Sequence, residues 1–230
     1  MKVIPFTHLL YALLPIGIVA YFYYKWIGNI KEIAIATVRM VLQLLLIGYL
    51  LLYIFNNKNS FVGLSIILFM VVVASFIALR NVEKRTLKHY FKILFSLLLG
   101  GSLNLLLVLY VVIDLEPLYQ PRFIIPLAGM IYANAMNAVS LASERFEKEI
   151  QERSYEEARA VALKSSLIPQ VNAFLAVGLV SLPGMMTGQI LSGVDPIIAV
   201  RYQIVVMAMV LGSAGISVVT YLLLQKEKYA

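Results

Sequence analysis

Residues 165–194 read SSLIPQVNAFLAVGLVSLPGMMTGQILSGV, thirty positions without a single Asp, Glu, Lys or Arg. Such a run makes about 45 Å of straight helix, against a bilayer hydrocarbon core of about 30 Å. It can cross a membrane and still has length for a break. Pro183 has no N–H for the carbonyl of Leu179, and Gly184 relaxes the backbone, so a kink or unwound turn is expected at these two residues. Carbonyls freed at membrane depth are tolerated only where protein buries them or a cavity solvates them. Gly184 and Gly188, extended by Ser192, also make a ridge of small residues on which another helix could lie closely. The residues therefore predict a hinge. They leave open whether its carbonyls face a transport path or only a neighbouring helix.

The remainder of the chain repeats the apolar pattern. Of 230 residues 61% are hydrophobic and 13% charged, with a mean hydropathy of +0.88, whereas about a quarter of a soluble domain is charged. Uncharged runs cover 3–24, 40–57, 59–79, 93–113, 123–143, 165–194 and 202–225, and the second extends back through Arg39 to about Ile33. Each reaches the length of a spanning helix, about 20 residues. The expected fold is an all-α polytopic membrane protein of about seven transmembrane helices, with residues 1–230 forming one membrane domain. The first run follows a single Lys2 and has no small-x-small cleavage site, which reads as a retained helix rather than a signal peptide.

Basic residues in short loops stay on the cytoplasmic side. With the C-terminus inside, 14 of the 19 Lys and Arg residues fall in cytoplasmic segments: 25–31, 80–92, 145–164 and 226–228. Lys2, Lys58, Arg122 and Arg201 fall outside, and Arg39 lies within a span. The expected orientation is N-terminus out, C-terminus cytoplasmic. The net charge of +7 is then mostly a topology signal, and nothing calls for a nucleic-acid partner.

Absences narrow the chemistry. There is no Cys, which excludes disulfides, thiolate zinc sites and iron–sulfur clusters. His8 and His89 fall near opposite membrane faces and are badly placed to share a metal. No Gly-x-x-x-x-Gly-Lys-[Ser/Thr] loop occurs, so ATP hydrolysis through a P-loop of this chain is excluded. No carboxylate or imidazole lies deep in a span, which argues against an intramembrane hydrolase and a proton-coupled carrier. The reading is a transport subunit without enzymatic chemistry or a cofactor of its own.

The sizeable hydrophilic segment, residues 144–166, begins ERFEKEIQERSYEEARAVALK, with five basic and six acidic positions among 144–164. Its first part reads as an amphipathic continuation of the fifth span. Ser154-x-x-Glu157 is a capping box that starts a second helix, Tyr155 to about Lys164, with Ala158 and Ala162 forming a slim face. Pro169 then suits the first turn of the sixth span. A short alanine-faced helix of this kind resembles the coupling helix with which ABC-transporter permeases dock into their ATPase; a solvated surface helix is the alternative.

Residues 177–205, VGLVSLPGMMTGQILSGVDPIIAVRYQIV, together with 39–48, RMVLQLLLIG, and 126–137, PLAGMIYANAMN, closely resemble the FetB-type iron-export permeases, a family that includes plant half-transporters linked to aluminium tolerance. The resemblance covers nearly the whole chain. It implies the membrane subunit of an ABC transporter in a cell membrane, the inner membrane in bacteria. It also implies export of iron, a second copy of the chain as partner, and a separate ATPase subunit carrying ATP and Mg. The chain departs from the family pattern at Lys164, where members usually have glycine after Ala-Leu.

The matched positions suggest roles. Arg39 and Gln43, four apart on one helix face, line a polar pathway or pair with Asn104, Asn134 or Asn137; alternatively Arg39 snorkels to the interface. Asn134 and Asn137, near Met130, serve helix packing or substrate contact. Met185, Met186 and Gln189 in the hinge segment are pathway candidates, though methionines in apolar helices commonly pack. Asp114, Glu116 and Asp195 are outer-mouth candidates, with Asp195 before Pro196 also fitting a helix N-cap. Ser154, Glu156, Glu157, Ala158, Arg159 and Ala162 are the coupling candidates; Pro183, Gly184 and Gly188 form the hinge. The metal ligands are unknown: iron(II) favours oxygen and imidazole, and Met185 and Met186 are soft donors better suited to copper(I). An ABC permease for another solute, such as a nucleotide sugar or metal chelate, and a stand-alone channel or secondary carrier remain the alternatives.

Overall fold

The computed structural model describes residues 5–56, 59–82, 85–117 and 119–229, with side chains at all but 6, 53, 56 and 227–229. Lys2, Lys58, Lys84 and the side chain of Lys228 lie outside that set. The described chain is helical with short connections, and its only extended pairing is a single bridge between Val177 and Ser181. It divides into two compact units, Met1–Asn56 and Asn57–Ala230.

The first unit holds α1 (Phe6–Ala12), α2 (Leu14–Ile27) and α3 (Lys31–Asn56). Pro15, the second residue of α2, cannot donate back to the preceding turn, and the helix is interrupted at Leu13. Gly28 ends α2 at φ 80°, a left-handed conformation open to glycine, with its N–H donating to the Tyr24 carbonyl at 2.8 Å. Across this turn the Tyr23 hydroxyl donates to the Glu32 carboxylate at 2.6 Å. Residues Thr7–Ile27 and Lys31–Leu52 are each long and apolar enough to cross a membrane.

The second unit holds α4 (Ser60–Leu79), α5 (Leu87–Leu107), α6 (Pro121–Glu149), α7 (Tyr155–Ala176), α8 (Gly184–Leu191) and α9 (Pro196–Tyr229). Polar caps start most of these helices. The Asn59 side chain accepts from Phe61 N at 3.0 Å, Thr86 from His89 N at 3.2 Å, and Asp195 from Ile197 N at 2.8 Å. A π-helical turn, Val108–Val112, finishes α5. Segments Ser60–Leu79, Leu87–Val112, Pro121–Glu149 and Pro196–Lys226 are span-length and apolar, which makes six such helices among the described residues. The chain is an all-α polytopic membrane protein.

Lipid provides no hydrophobic drive between helices, so close packing must hold them together. Helix α6 is the hub, packed against α4, α5, α7 and α9. Small residues set its spacing from α4: Val71, Ala74, Ser75 and Ala78 repeat at helical intervals and are buried. On α5, Gly100 and Gly101 serve two neighbours. A Cβ on Gly100 would strike the Ser217 backbone of α9, and one on Gly101 would strike the Tyr132 ring of α6. Gly212 on α9 likewise accommodates the Asn104 side chain.

The sixth expected span takes a different form. The capping box at Ser154 is present, but the helix it starts runs unbroken from Tyr155 to Ala176 and carries Pro169 in its interior instead of its first turn. The coupling segment and residues 165–176 are thus one helix, and 165–194 is not among the span-length helices of the described residues. The end of α7 is set by Gly178 at φ 80°, after which residues 177–183 form a compact turn around the Ala176 carbonyl. Pro183 does not kink a continuing helix: it precedes α8 in an extended conformation, φ −63° and ψ 145°. The break therefore comes about five residues earlier than Pro183 and Gly184 suggested. Among the described residues nothing from another element lies within 4 Å of a Cβ placed on Gly184 or Gly188, so no described helix packs on these two glycines.

Polar contacts fix the common end of α5, α7 and α9. His89 Nε2 and the Tyr221 hydroxyl lie 2.6 Å apart with their rings stacked. Lys92 donates to the Leu224 carbonyl, and the Tyr155 hydroxyl to the Leu222 carbonyl at 2.8 Å. At the same end Asn81, after α4, donates to Ser140 Oγ at 2.6 Å. Nearby in sequence, the Arg85 guanidinium donates to the Arg80 carbonyl at 2.7 Å and Arg153 pairs with Glu149.

Candidate substrate cavities and coupling face

Breaking the polypeptide between α7 and α8 lets α8 lie against the first turns of α9. Consecutive methionines on so short a helix project to different sides, and the structure puts a cavity at each. The first, about 450 Å³, lies between α6, α8 and α9 and is lined by Arg122, Met130, Met185, Gln189 and Tyr202 among apolar neighbours. The second, about 400 Å³, lies between the 177–183 turn, α8 and α9 and is lined by Met186, Gln203 and Met207 with Gly178 and Pro183. Each holds one glutamine whose Oε1 is buried without a hydrogen-bond partner. An unpaired buried acceptor costs roughly 1–3 kcal/mol, so both positions suit a ligand or a water. A third cavity, about 480 Å³, is framed by α4, α5 and α6 beside Ser102, Tyr119 and Tyr132.

Three of the sequence candidates, Met130, Met185 and Gln189, therefore meet at one cavity, and Met186 lines the other. Asn104, Asn134 and Asn137 line neither cavity. Asn104 and Asn134 donate to carbonyls of their own helices, Gly100 at 3.0 Å and Met130 at 2.9 Å, and Asn137 is exposed. Arg39 and Gln43 are exposed on α3 of the first unit. Asp195 caps α9, with Ile198 N at 3.4 Å as a second donor. Asp114, at φ 53°, and Glu116 are exposed in the α5–α6 connection. No group of three or more His, Asp or Glu side chains suited to a metal occurs among the described residues.

The coupling candidates sort by face. Glu157 and Ser154 complete the capping box, with Glu157 N to Ser154 Oγ at 3.3 Å and Ser154 N to Glu157 Oε2 at 3.2 Å. Glu156 is exposed, and the Arg159 guanidinium lies 5.3 Å from the centre of the Tyr155 ring. Ala158 and Ala162, read from sequence as the face a partner grips, are fully buried in the core formed with α6 and α9. Their small size lets α7 pack inside its own chain. The surface this leaves on α7 and just ahead of it is of mixed charge: Arg153, Glu156, Glu157 and Lys164 are exposed, with Arg159 half-buried.

Tyr202, Gln203 and Met207 carry no charge that would mark them in the sequence, since residues 202–207 hold none. Gln203 and Met207 are four apart in an apolar helix, a spacing that was visible. The cluster of His89 with Tyr221 and with Gln225, whose Nε2 lies 3.5 Å from His89 Nε2, was not legible in the sequence.

Residues 6–229 match the uncharacterised protein family UPF0014. The chain belongs to this family. Among UPF0014 relatives, the membrane protein slr1647 of Synechocystis is 36% identical over 189 residues, covering 75% of this chain and 73% of that one. The probable iron export permease protein FetB of Escherichia coli is 34% identical over 218 residues, 86% and 82% of the two chains. The protein ALUMINUM SENSITIVE 3 of Arabidopsis thaliana is 36% identical over 205 residues, 82% and 74%. No solved structure matches the chain.

Proposed function

We propose that this UPF0014 protein is the membrane permease subunit of an ABC transporter that exports iron, driven by ATP hydrolysed with Mg on a separate ATPase subunit. The permease acts as a homodimer, N-terminus out and C-terminus cytoplasmic, in the inner membrane if the source is bacterial. The substrate assignment follows the FetB relative. The observation that carries a transport mechanism is the continuity of α7 from the capped, acid-bearing Tyr155 end to the broken turn that holds α8 between two cavities. A helix of 22 residues is a rod of about 33 Å.

Closure of the ATPases on ATP pulls at Glu156 and Glu157. The force passes along α7 to residues 177–183, where the helix has already ended, and α8 shifts against α6 and α9. Tyr155 ties the pulled end to α9 through the Leu222 carbonyl, so both helices move together. Widening one cavity as the other narrows alternates access. Membrane vesicles containing both subunits and loaded with metal test this: ATP should drive iron movement, and ATPase activity without metal flux would remove iron as the substrate.

A further inference from the structure

The two cavities beside α8 differ in charge, and that difference separates their ligands. The cavity at α6 includes Arg122, whose guanidinium repels a cation. No charged side chain lines the cavity at the 177–183 turn, where Met186 of α8 faces Gln203 and Met207 of α9. Gln203 and Met207 are four apart and so lie on one face of α9, roughly 6 Å apart at their Cβ atoms. Gln203 is 5% exposed, and its Oε1 is buried with no partner. The Gly178 main chain borders the same space, because the turn has abandoned helical hydrogen bonding there.

We infer that this cavity is a binding site for a soft monovalent cation, copper(I) or silver(I), held by the Met186 and Met207 thioethers and the Gln203 carbonyl oxygen. Thioethers select soft ions. All three donors are neutral, and the cost of burying an ion grows with the square of its charge, so a divalent ion is penalised about four times as heavily as a monovalent one. The site lies at the end of α7, so occupancy stabilises one arrangement of the 177–183 turn and α8. The assignment goes beyond iron export and does not depend on it.

Silver(I), which needs no reductant, is the probe. The purified full-length chain in detergent micelles is equilibrated with silver(I) and the bound metal measured by dialysis and elemental analysis. The Met186→Leu and Met207→Leu variants, singly and together, are compared with a Met130→Leu/Met185→Leu pair; leucine keeps the volume, and circular dichroism checks the helices. Losing either ligand is expected to weaken one silver site by at least about tenfold, since even outer-shell partners of a metal are worth 10–100-fold. The Met130/Met185 pair should leave that site intact, and excess iron(II) should not displace the silver. Equal binding by the parent and the Met186/Met207 variants, or equal loss in the Met130/Met185 pair, would overturn the assignment. Displacement of silver by iron(II) at comparable concentration would overturn its soft-ion character.

Discussion

Replacing Gly100 with alanine isolates the packing that holds α5 against α9. A Cβ at this position falls 2.6 Å from Ser217 N and 3.0 Å from Ser213 O, whereas ordinary contact between heavy atoms begins near about 3.5 Å. Both partners are backbone, so no side chain can turn aside; α9 must retreat by roughly 0.5–1 Å. Around the contact Leu97, Ser213, Ser217 and Val218 are all buried, and overpacking such a site costs about 1–3 kcal/mol. For a chain of this size that lowers the midpoint of thermal unfolding by about 3–10 °C. Gly215 on α9 supplies the control: among the described residues no atom of another element lies within 4 Å of its Cβ position, and alanine there gains up to about 1 kcal/mol of helix propensity. Thermal melts of both variants in one detergent, followed by far-ultraviolet circular dichroism, give the comparison. Gly100→Ala as stable as the parent, or Gly215→Ala equally destabilised, would refute the α5–α9 packing.

Three other substitutions probe the functional reading. Tyr155→Phe removes the bond to the Leu222 carbonyl at a cost of about 1 kcal/mol; ATPase binding should persist while ATP-driven flux falls, and unchanged flux would show that the tie transmits nothing. Asp195→Ala should cost about 1 kcal/mol by losing the α9 cap, and Asp195→Asn should restore the melt because both side chains cap equally well. Flux that recovers with asparagine makes Asp195 a cap alone, whereas flux that stays low assigns it to the ion's exit. Charge reversal at Glu156 should abolish co-purification of the ATPase with the permease folded normally, whereas Ala158→Leu should lower the melting temperature through the buried α7 face.

The spans were legible because a bilayer demands about 20 apolar residues, and charge interrupts them clearly at 80–92 and 144–164. The Ser154 capping box was legible for a similar reason: its two hydrogen bonds are local to four residues. In residues 165–194 the unwound turn expected at Pro183 does end there, with Pro183 as the extended residue before α8, but it begins at Val177. Pro169 is tolerated inside α7, while Gly178, which can adopt φ 80° without strain, is the true terminator. The partner-facing side of α7 was hidden for another reason. Two alanines four apart mark a surface where helices come close, but not which helix comes, and here the neighbours belong to the same chain. The cavities depend on where α8 settles against α6 and α9, which is a tertiary outcome. Their glutamines and methionines could be read only as polar and soft residues in apolar helices.

The transport claim meets its most direct test in sealed vesicles holding this permease and its ATPase, loaded with iron(II) on the side from which export proceeds. ATP should drive iron across, with loss of transport when Glu156 is charge-reversed and the subunits separate. Iron movement that is equally fast without ATP or without the ATPase would contradict the account and make the chain a channel or carrier acting alone.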